Sequence, residues 1–516
     1  MKKPAPRKKT AGPKAKTVRK PSPKSRTAKT TARAAKVAPS SKAAPALPGF
    51  DLKSLHRHAE DKRGSFESLL RQWVEIPSVS MDPDKKPDVD LMADAAARTL
   101  REFGWDAKVL PTRGHPMVFG RRHVSDSCPT ITIYNHLDVQ PGGAKEEWKT
   151  EPFVFTQQGD TYYGRGTTDD KGPALSALFG ASYALEHGAQ VNVNFLWELE
   201  EEIGSPNFEA GIKAAASELK TDLVLVSDTI WISRKRPAAP AGLRGLQCFR
   251  ITLETGLAER HSGLTGGAAR NPLTELCDLI GKMVDGKTGE VKIPGFYKDW
   301  KKPTKQELAD FAASGFTVKN FMEAHAFKSL RSKDALDVMT RIWAKPTFEV
   351  HGIAGGYQGP GVKTAVPPRG EAKLSMRLVP RMEPEKTLAL VRAFVKKHLP
   401  DAVIHAENGL RPYEGTTTGP LADLVRSSMN FAFGRPPVFV REGGSIGAVK
   451  TMEDVLSAPV IFLGLSLPEH GYHAPNENYD WAQAKGGLAA FAKLFHDAAS
   501  LPRGAAKAAL AAKKGR

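Results

Sequence analysis

A chain of 516 residues is too long for one hydrophobic core and implies two or three domains. Its 41% hydrophobic and 8% aromatic content suits a soluble globular protein, and no run approaches the roughly 20 apolar residues of a membrane span. The net charge of +19 belongs to the ends: residues 1–50 hold 15 Lys or Arg and no acid, residues 503–516 hold five, and the remaining 55 basic and 56 acidic residues leave 51–502 nearly neutral.

Residues 1–50, rich in Lys, Ala, Pro, Ser and Thr, offer too little apolar surface to offset the entropy of ordering and read as a disordered basic tail. The tail lacks the apolar core of a secretory signal, and Pro4, Pro6, Pro13, Pro21 and Pro23 would break the amphipathic helix of a transit peptide. Charge alone gives it weak affinity for anionic polymers such as nucleic acid. The plainer reading is a solvated tail that aids solubility. Cys128, Cys248 and Cys277 are widely spaced, without a CxxC pair, which fits a reducing, cytoplasmic setting.

Past Phe50, Phe66 to Trp73 and Asp90 to Phe103 read as helices. Short apolar runs at 130–134, 191–197, 223–226 and 459–463 read as buried strands, separated by helical stretches such as 173–186. That alternation predicts an α/β fold with a mostly parallel central sheet flanked by helices, its chemistry lying beyond the carboxyl ends of the strands. Between about Leu246 and Arg411 the rhythm changes. Strand-like runs at 249–254 and 372–379 and helical stretches at 304–312 and 384–398 suggest an α+β insertion, after which the chain returns to the first domain.

Chemistry-bearing residues follow each predicted strand: His136 and Asp138, then Glu200–Glu202, then Asp228, then His470 and His473. Asp169 and Asp170 sit in a Gly-rich loop, 164–172, directly before a helix. Each has a plainer reading alone: a surface pair for His136 and Asp138, a helix N-cap for the Asp pair, a solvated acidic turn for the Glu cluster. At successive strand ends those readings require coincidence. Two imidazoles and three carboxylates converging there suit a pair of zinc or manganese sites, with a shared carboxylate and a hydroxide between the metals. Asp138, two residues past His136, is placed to fix its tautomer, and the Glu cluster supplies a carboxylate for a general base.

The segments His136-Leu-Asp-Val-Gln-Pro141, Gly164-Arg-Gly with Asp169-Asp-Lys-Gly-Pro173, Glu201-Glu-Ile-Gly-Ser205, Ser227-Asp228, His261-Ser-Gly263, Ser375-Met-Arg-Leu-Val-Pro380, Arg441-Glu-Gly-Gly-Ser-Ile446 and His473-Ala-Pro-Asn-Glu477 follow in this order over about 60–500. In them the chain resembles the aminoacylase/carnosinase superfamily of di-metal peptidases, most closely its cytosolic dipeptidase and carnosinase-like branch. Asn135 departs from the pattern, since relatives usually have Gly there.

The resemblance implies a role for each residue. His136 and Asp228 would hold one metal, Glu202 and His473 the other, and Asp169 would bridge them. Two divalent ions per subunit, Zn2+ or Mn2+, are expected. Asp138 would orient His136, Glu201 would be the general base, and the Asp169–Asp170 peptide would be cis. His261 would reach a partner subunit's site and stabilise the oxyanion. Arg377 would bind the substrate's terminal carboxylate, assisted by Thr364 and the Gly443-Gly444-Ser445 loop. The expected organisation is a basic tail (1–50), a catalytic domain in two parts (51–245 and 412–502), a lid and dimerisation domain (246–411) and a basic C-terminal tail (503–516). The expected activity is hydrolysis of dipeptides or small peptides by a homodimer, through a bridging hydroxide with a Glu base. An N-acyl amino acid deacylase would use the same metals, but the insertion's length and the run 359–364 look more like the dipeptidase branch. The remote alternative is a nucleic-acid-associated protein that acts through its tail.

Overall fold

The four apolar runs expected to be buried strands lie side by side in one sheet. The computed structural model describes residues 51–501 together with 504, 506, 508, 510 and 511. The expectations for 1–50, and most of those for 503–516, lie outside the described residues. In chain order, the strands of the two larger sheets are β1 (Asp106–Leu110), β2 (Met117–Arg122), β3 (Thr130–His136), β4 (Asn192–Glu198), β5 (Leu223–Val226), β6 (Gly245–Glu254), β7 (Thr347–Gly355), β8 (Arg369–Leu378), β9 (Val403–Ala406) and β10 (Val460–Phe462). The first sheet runs β1-β2-β4-β3-β5-β10. Its β4, β3, β5 and β10 are mutually parallel, while β1 and β2 add an antiparallel edge. The sheet is therefore mixed.

Side chains alternate across these strands, and both faces are covered. Ile131, Ile133, Val193, Phe195, Trp197, Leu223 and Leu225 enter one core, and Tyr134, Leu196, Val224, Val226 and Phe462 enter the other. The first core is closed by helices α1 (Leu52–Val74), α2 (Lys86–Glu102) and α3 (Gly172–Glu186). Asp51 caps α1 by accepting from Lys53 and Ser54, and the helix buries Leu55, Ala59, Phe66, Leu70, Trp73 and Val74, a stripe at helical spacing. The second core is closed by α4 (Phe208–Ala214), and later in the chain by a helix at Gly447–Leu456. Each large side chain buried this way contributes about 1.5–3 kcal/mol.

The second sheet, β7-β8-β6-β9, is antiparallel throughout. One face packs Phe249, Ile251, Leu374 and Met376 against α5 (Pro272–Met283) and α6 (Pro384–His398), in a cluster separate from the first sheet's. Cys248, Glu349, His351, Ser375 and Arg377 belong to the alternate set and line a cavity of about 630 Å3. Among the described residues, no helix is long and apolar enough to cross a membrane, and the three cysteines are free thiols.

Candidate metal centre

Parallel register brings the chemistry to one edge of the first sheet. His136 ends β3 opposite Glu198 of β4, and Tyr134 lies opposite Val226, two residues before Asp228. Glu201 and Glu202 sit in the short turn after β4, and His473 in the loop after β10.

The remaining ligand candidate arrives on the Gly-rich loop. Gly166, at φ +87°, allows the tight turn, and the Asp169–Asp170 peptide is cis. The fully buried Glu477 holds this loop from behind. Its carboxylate accepts from the backbone N–H groups of Gly166, Thr168 and Asp169 and from the guanidinium of Arg165, at 2.8–3.1 Å.

Asp169 stands at the middle of the cluster. Its Oδ1 is 3.0 Å from Nε2 of His136, and its Oδ2 is 3.1 Å from Nε2 of His473. His473 is also 3.3 Å from Oε2 of Glu202, and His136 is 3.9 Å from Oδ2 of Asp228. Ligand atoms of His136, Asp169 and Glu202 lie within 4.8 Å of one another, as do those of His136, Glu201 and Asp228. Oδ2 of Asp169 is sealed from solvent, with the imidazole of His473 facing it.

The electrostatics are those of a site with too few cations. Hydrogen bonds to Asp169 and Glu202 raise the pKa of His473 to about 11. Burial opposes charge on His136, yet hydrogen bonds to Asp138 and Asp169 hold it well above its usual value. Burial, together with Asp169 and Glu202, lifts Asp228 to about 6 despite His136. Excess carboxylates and imidazoles forced to hold protons suit two divalent cations.

Asp138 does more than its spacing suggests. Nδ1 of His136 lies 3.0 Å from the Asp138 carbonyl oxygen and 3.5 Å from its Oδ1. The carboxylate itself accepts from Ser80 Oγ (2.6 Å) and from the backbone N–H groups of Glu201 and Glu202 (3.2 and 3.0 Å). It therefore braces the acidic turn as well as the histidine. The sequence alone also misses Gln140, which donates to Glu202 (2.8 Å), and Tyr472, which donates to Asp228 (3.1 Å). Asn135 is buried and donates to Asp170 (2.7 Å), outside the ligand set. Gln140 and Tyr472 lie beside predicted ligands in the chain, a usable signal. Ser80 carries none.

The substrate-side candidates divide. Arg377 donates to Ser445 Oγ (3.0 Å), and Ser445 donates to the carbonyl of Arg244, whose guanidinium in turn donates to the carbonyl of Gly443 (3.2 Å). Gly444 lies exposed in the same loop. His261 and Thr364 are exposed elsewhere, at a ribbon pairing Arg260–His261 with Ala365–Val366, and His261 accepts only a local N–H from Gly263. His470, the rival of His473, is buried between Thr168 and Asp480.

A model of peptidase family M20/M25/M40 matches residues 132–497. The Cys-Gly metallodipeptidase dug1 of Schizosaccharomyces pombe is 33% identical over 475 residues, covering 88% of this chain and 99% of that one. The structure of human carnosine dipeptidase 1 is 26% identical with a TM-score of 0.75, over 87% of this chain and 100% of that one. The M20 family metallo-carboxypeptidase Sso-CP2 from Sulfolobus solfataricus is 29% identical with a TM-score of 0.79, over 84% and 98%.

Proposed function

Since the chain belongs to peptidase family M20/M25/M40, we propose that it is a two-metal dipeptidase whose ligands are His136, Asp169, Glu202, Asp228 and His473. The observation that carries this reading is Asp169, one carboxylate facing an imidazole from each of its two oxygens. His136 and Asp228 would hold one cation, Glu202 and His473 the other, with Asp169 shared between them. Two divalent cations there would supply Lewis acidity to a substrate carbonyl and to a water. Zinc and manganese both suit the donor set.

Glu201 is the general base. Burial and the nearby carboxylates of Asp228 and Glu202 push its pKa up against the pull of His136. It takes the water's proton and passes it to the leaving nitrogen. Asp138 keeps Glu201, Glu202 and His136 in register through the contacts above. Arg377, held by Ser445 and with Gly444 in the same loop, receives the substrate's terminal carboxylate, and Thr364, which shares the exposed ribbon of His261, assists at the partner subunit's site.

Residues 246–411 form the lid and dimerisation domain of this reading, and 51–245 with 412–502 form the catalytic domain. His261, exposed on its own chain, serves the partner subunit's site, where it stabilises the oxyanion. Leu257, Leu264 and Val362 near this ribbon are almost fully exposed in the single chain, at 104%, 86% and 92%, and suit an interface.

Glu201→Ala tests the mechanism. The variant should bind two metals per chain by elemental analysis while its turnover of unblocked dipeptides falls by roughly 10²–10⁴. Retained turnover would remove Glu201 from this role.

A further inference from the structure

Arg377 shares the cavity of about 630 Å3 with a second arginine, Arg244. One loop, 443–445 after the strand Val438–Glu442, holds both side chains. Nε of Arg244 donates to the carbonyl of Gly443 (3.2 Å), and Nη1 of Arg377 donates to Ser445 Oγ (3.0 Å). These anchors lie two residues apart, a span of at most about 7 Å. Arg244 also donates from Nη1 to the carbonyl of Arg341 (3.4 Å). Every one of these partners is neutral, and neither guanidinium is in an ion pair among the described residues. Arg341 and Lys345 on the same lining are matched, by Asp337 and Glu290.

Among the described residues, Glu349 is the one carboxylate on the lining. It can offset one guanidinium, and Arg331, exposed and likewise outside any ion pair among the described residues, restores the excess. Burial and the nearby Arg377 both oppose charge on Arg244, and Glu349 relieves them only in part. A guanidinium cannot escape by giving up its proton. Half-buried cations with a surplus of positive charge are costly unless an anion completes them. The surplus, after Glu349, is two charges, so an anion with two carboxylates fits it better than one with a single carboxylate.

We propose that this cavity takes the substrate's C-terminal residue and that Arg244 receives a carboxylate on its side chain, so that the site prefers substrates ending in Asp or Glu. This inference rests on the assignment of Arg377 to the terminal carboxylate in the reading above, and it adds a substrate class. The two carboxyl carbons of Asp or Glu stand three or four bonds apart, roughly 4–5 Å when extended. Two guanidinium groups anchored two residues apart can meet both. Leu246 and Ile342 on the same lining supply apolar wall for the methylenes between. A neutral C-terminal side chain would leave Arg244 unanswered, and a basic one would add to the surplus.

The experiment is calorimetry on manganese-loaded protein with two phosphinic dipeptide isosteres, the scissile amide replaced by PO2–CH2. One ends in a Glu side chain and the other in Gln, which has the same shape without the charge. Wild type should prefer the Glu-ended molecule by roughly 10- to 100-fold. Arg244→Gln should bring the two affinities to within about threefold of each other. Equal binding of both molecules by wild type, or an undiminished ratio in Arg244→Gln, would overturn the proposal. The second of these would mean that Arg244 serves the terminal carboxylate or the loop. If Arg244→Gln loses both ligands, Arg244→Lys decides: a persisting preference for Glu supports the role, and its absence overturns it. Because binding is read without turnover, a failure to hydrolyse dipeptides would count against the proposed function and leave this comparison intact.

Discussion

His470 and His473 lie three residues apart, and their partners separate them. His473 faces Asp169 and Glu202, whereas Nε2 of His470 is 3.0 Å from Oδ2 of Asp480, which also accepts from Arg234 at 2.8 Å. Burial disfavours charge on Asp480, but hydrogen bonds from His470 and Arg234 hold its carboxyl well below the usual carboxylate range. An unfolded Asp titrates near pH 4. The contribution of Asp480 is thus complete above that pH and is lost as the pH falls through the depressed folded value. Asp480→Asn retains an oxygen to cap Gln483 of the last helix and removes both the charge and the acceptor that Oδ2 offers His470 and Arg234. It should cost roughly 1–3 kcal/mol at pH 7, with the difference from wild type shrinking below about pH 4. Thermal unfolding of the two proteins at pH 7 and pH 3.5 checks this, and an equal difference at both would contradict it. In the sequence, His473 differs from His470 by opening the motif His473-Ala-Pro-Asn-Glu477. The reason lies in Asp480 and Arg234, and Arg234 is 236 positions away from His470.

Elements with a strong period were the most legible. The expected strands at 130–134, 191–197, 223–226 and 459–463 correspond to β3, β4, β5 and β10. Each is a fully buried run, whose signal survives without its partners. The helix expected at 384–398 coincides with α6, and that at 66–73 is only the end of α1, whose polar first half hides the stripe. β1 went unread because an edge strand with exposed Asp106 and Lys108 has little apolar signal, and β2 because its apolar run, Met117–Phe119, is short. The Gly-rich loop stands out in the sequence, but nothing there shows that Glu477 holds it. That buried carboxylate serves three backbone N–H groups and Arg165, and an amide offers only one acceptor oxygen. Glu477→Gln should therefore destabilise the fold by about 3–5 kcal/mol and weaken metal binding at Asp169. A thermal scan with a metal-competition titration measures both. Unchanged metal affinity would mean that the loop presents Asp169 without this support.

At the scale of the whole molecule, four of the five proposed ligands follow strands of the first sheet and Asp169 joins them on the Gly-rich loop, so the order of the sheet gathers residues from His136 to His473. Arg377, Ser445 and Arg244 meet only because the second sheet docks beside the loop after Val438–Glu442, a pairing no local pattern encodes. The proposed exchange of His261 between subunits has a direct test. His261→Ala and Glu201→Ala chains, each inactive, should recover about a quarter of wild-type activity when dissociated and reassociated in equal amounts, because half the dimers are then mixed and each carries one complete site. No recovery, or full activity from a monomer in sedimentation, would contradict exchange. The proposed function itself is met most directly by stripping the purified protein of metal, restoring manganese or zinc, and assaying a panel of unblocked dipeptides beside N-acyl amino acids. Cleavage of dipeptides that appears only with metal, and saturates at two ions per chain, is the expected result. Two bound ions with no dipeptide cleaved would contradict it and assign the site to acylated amino acids.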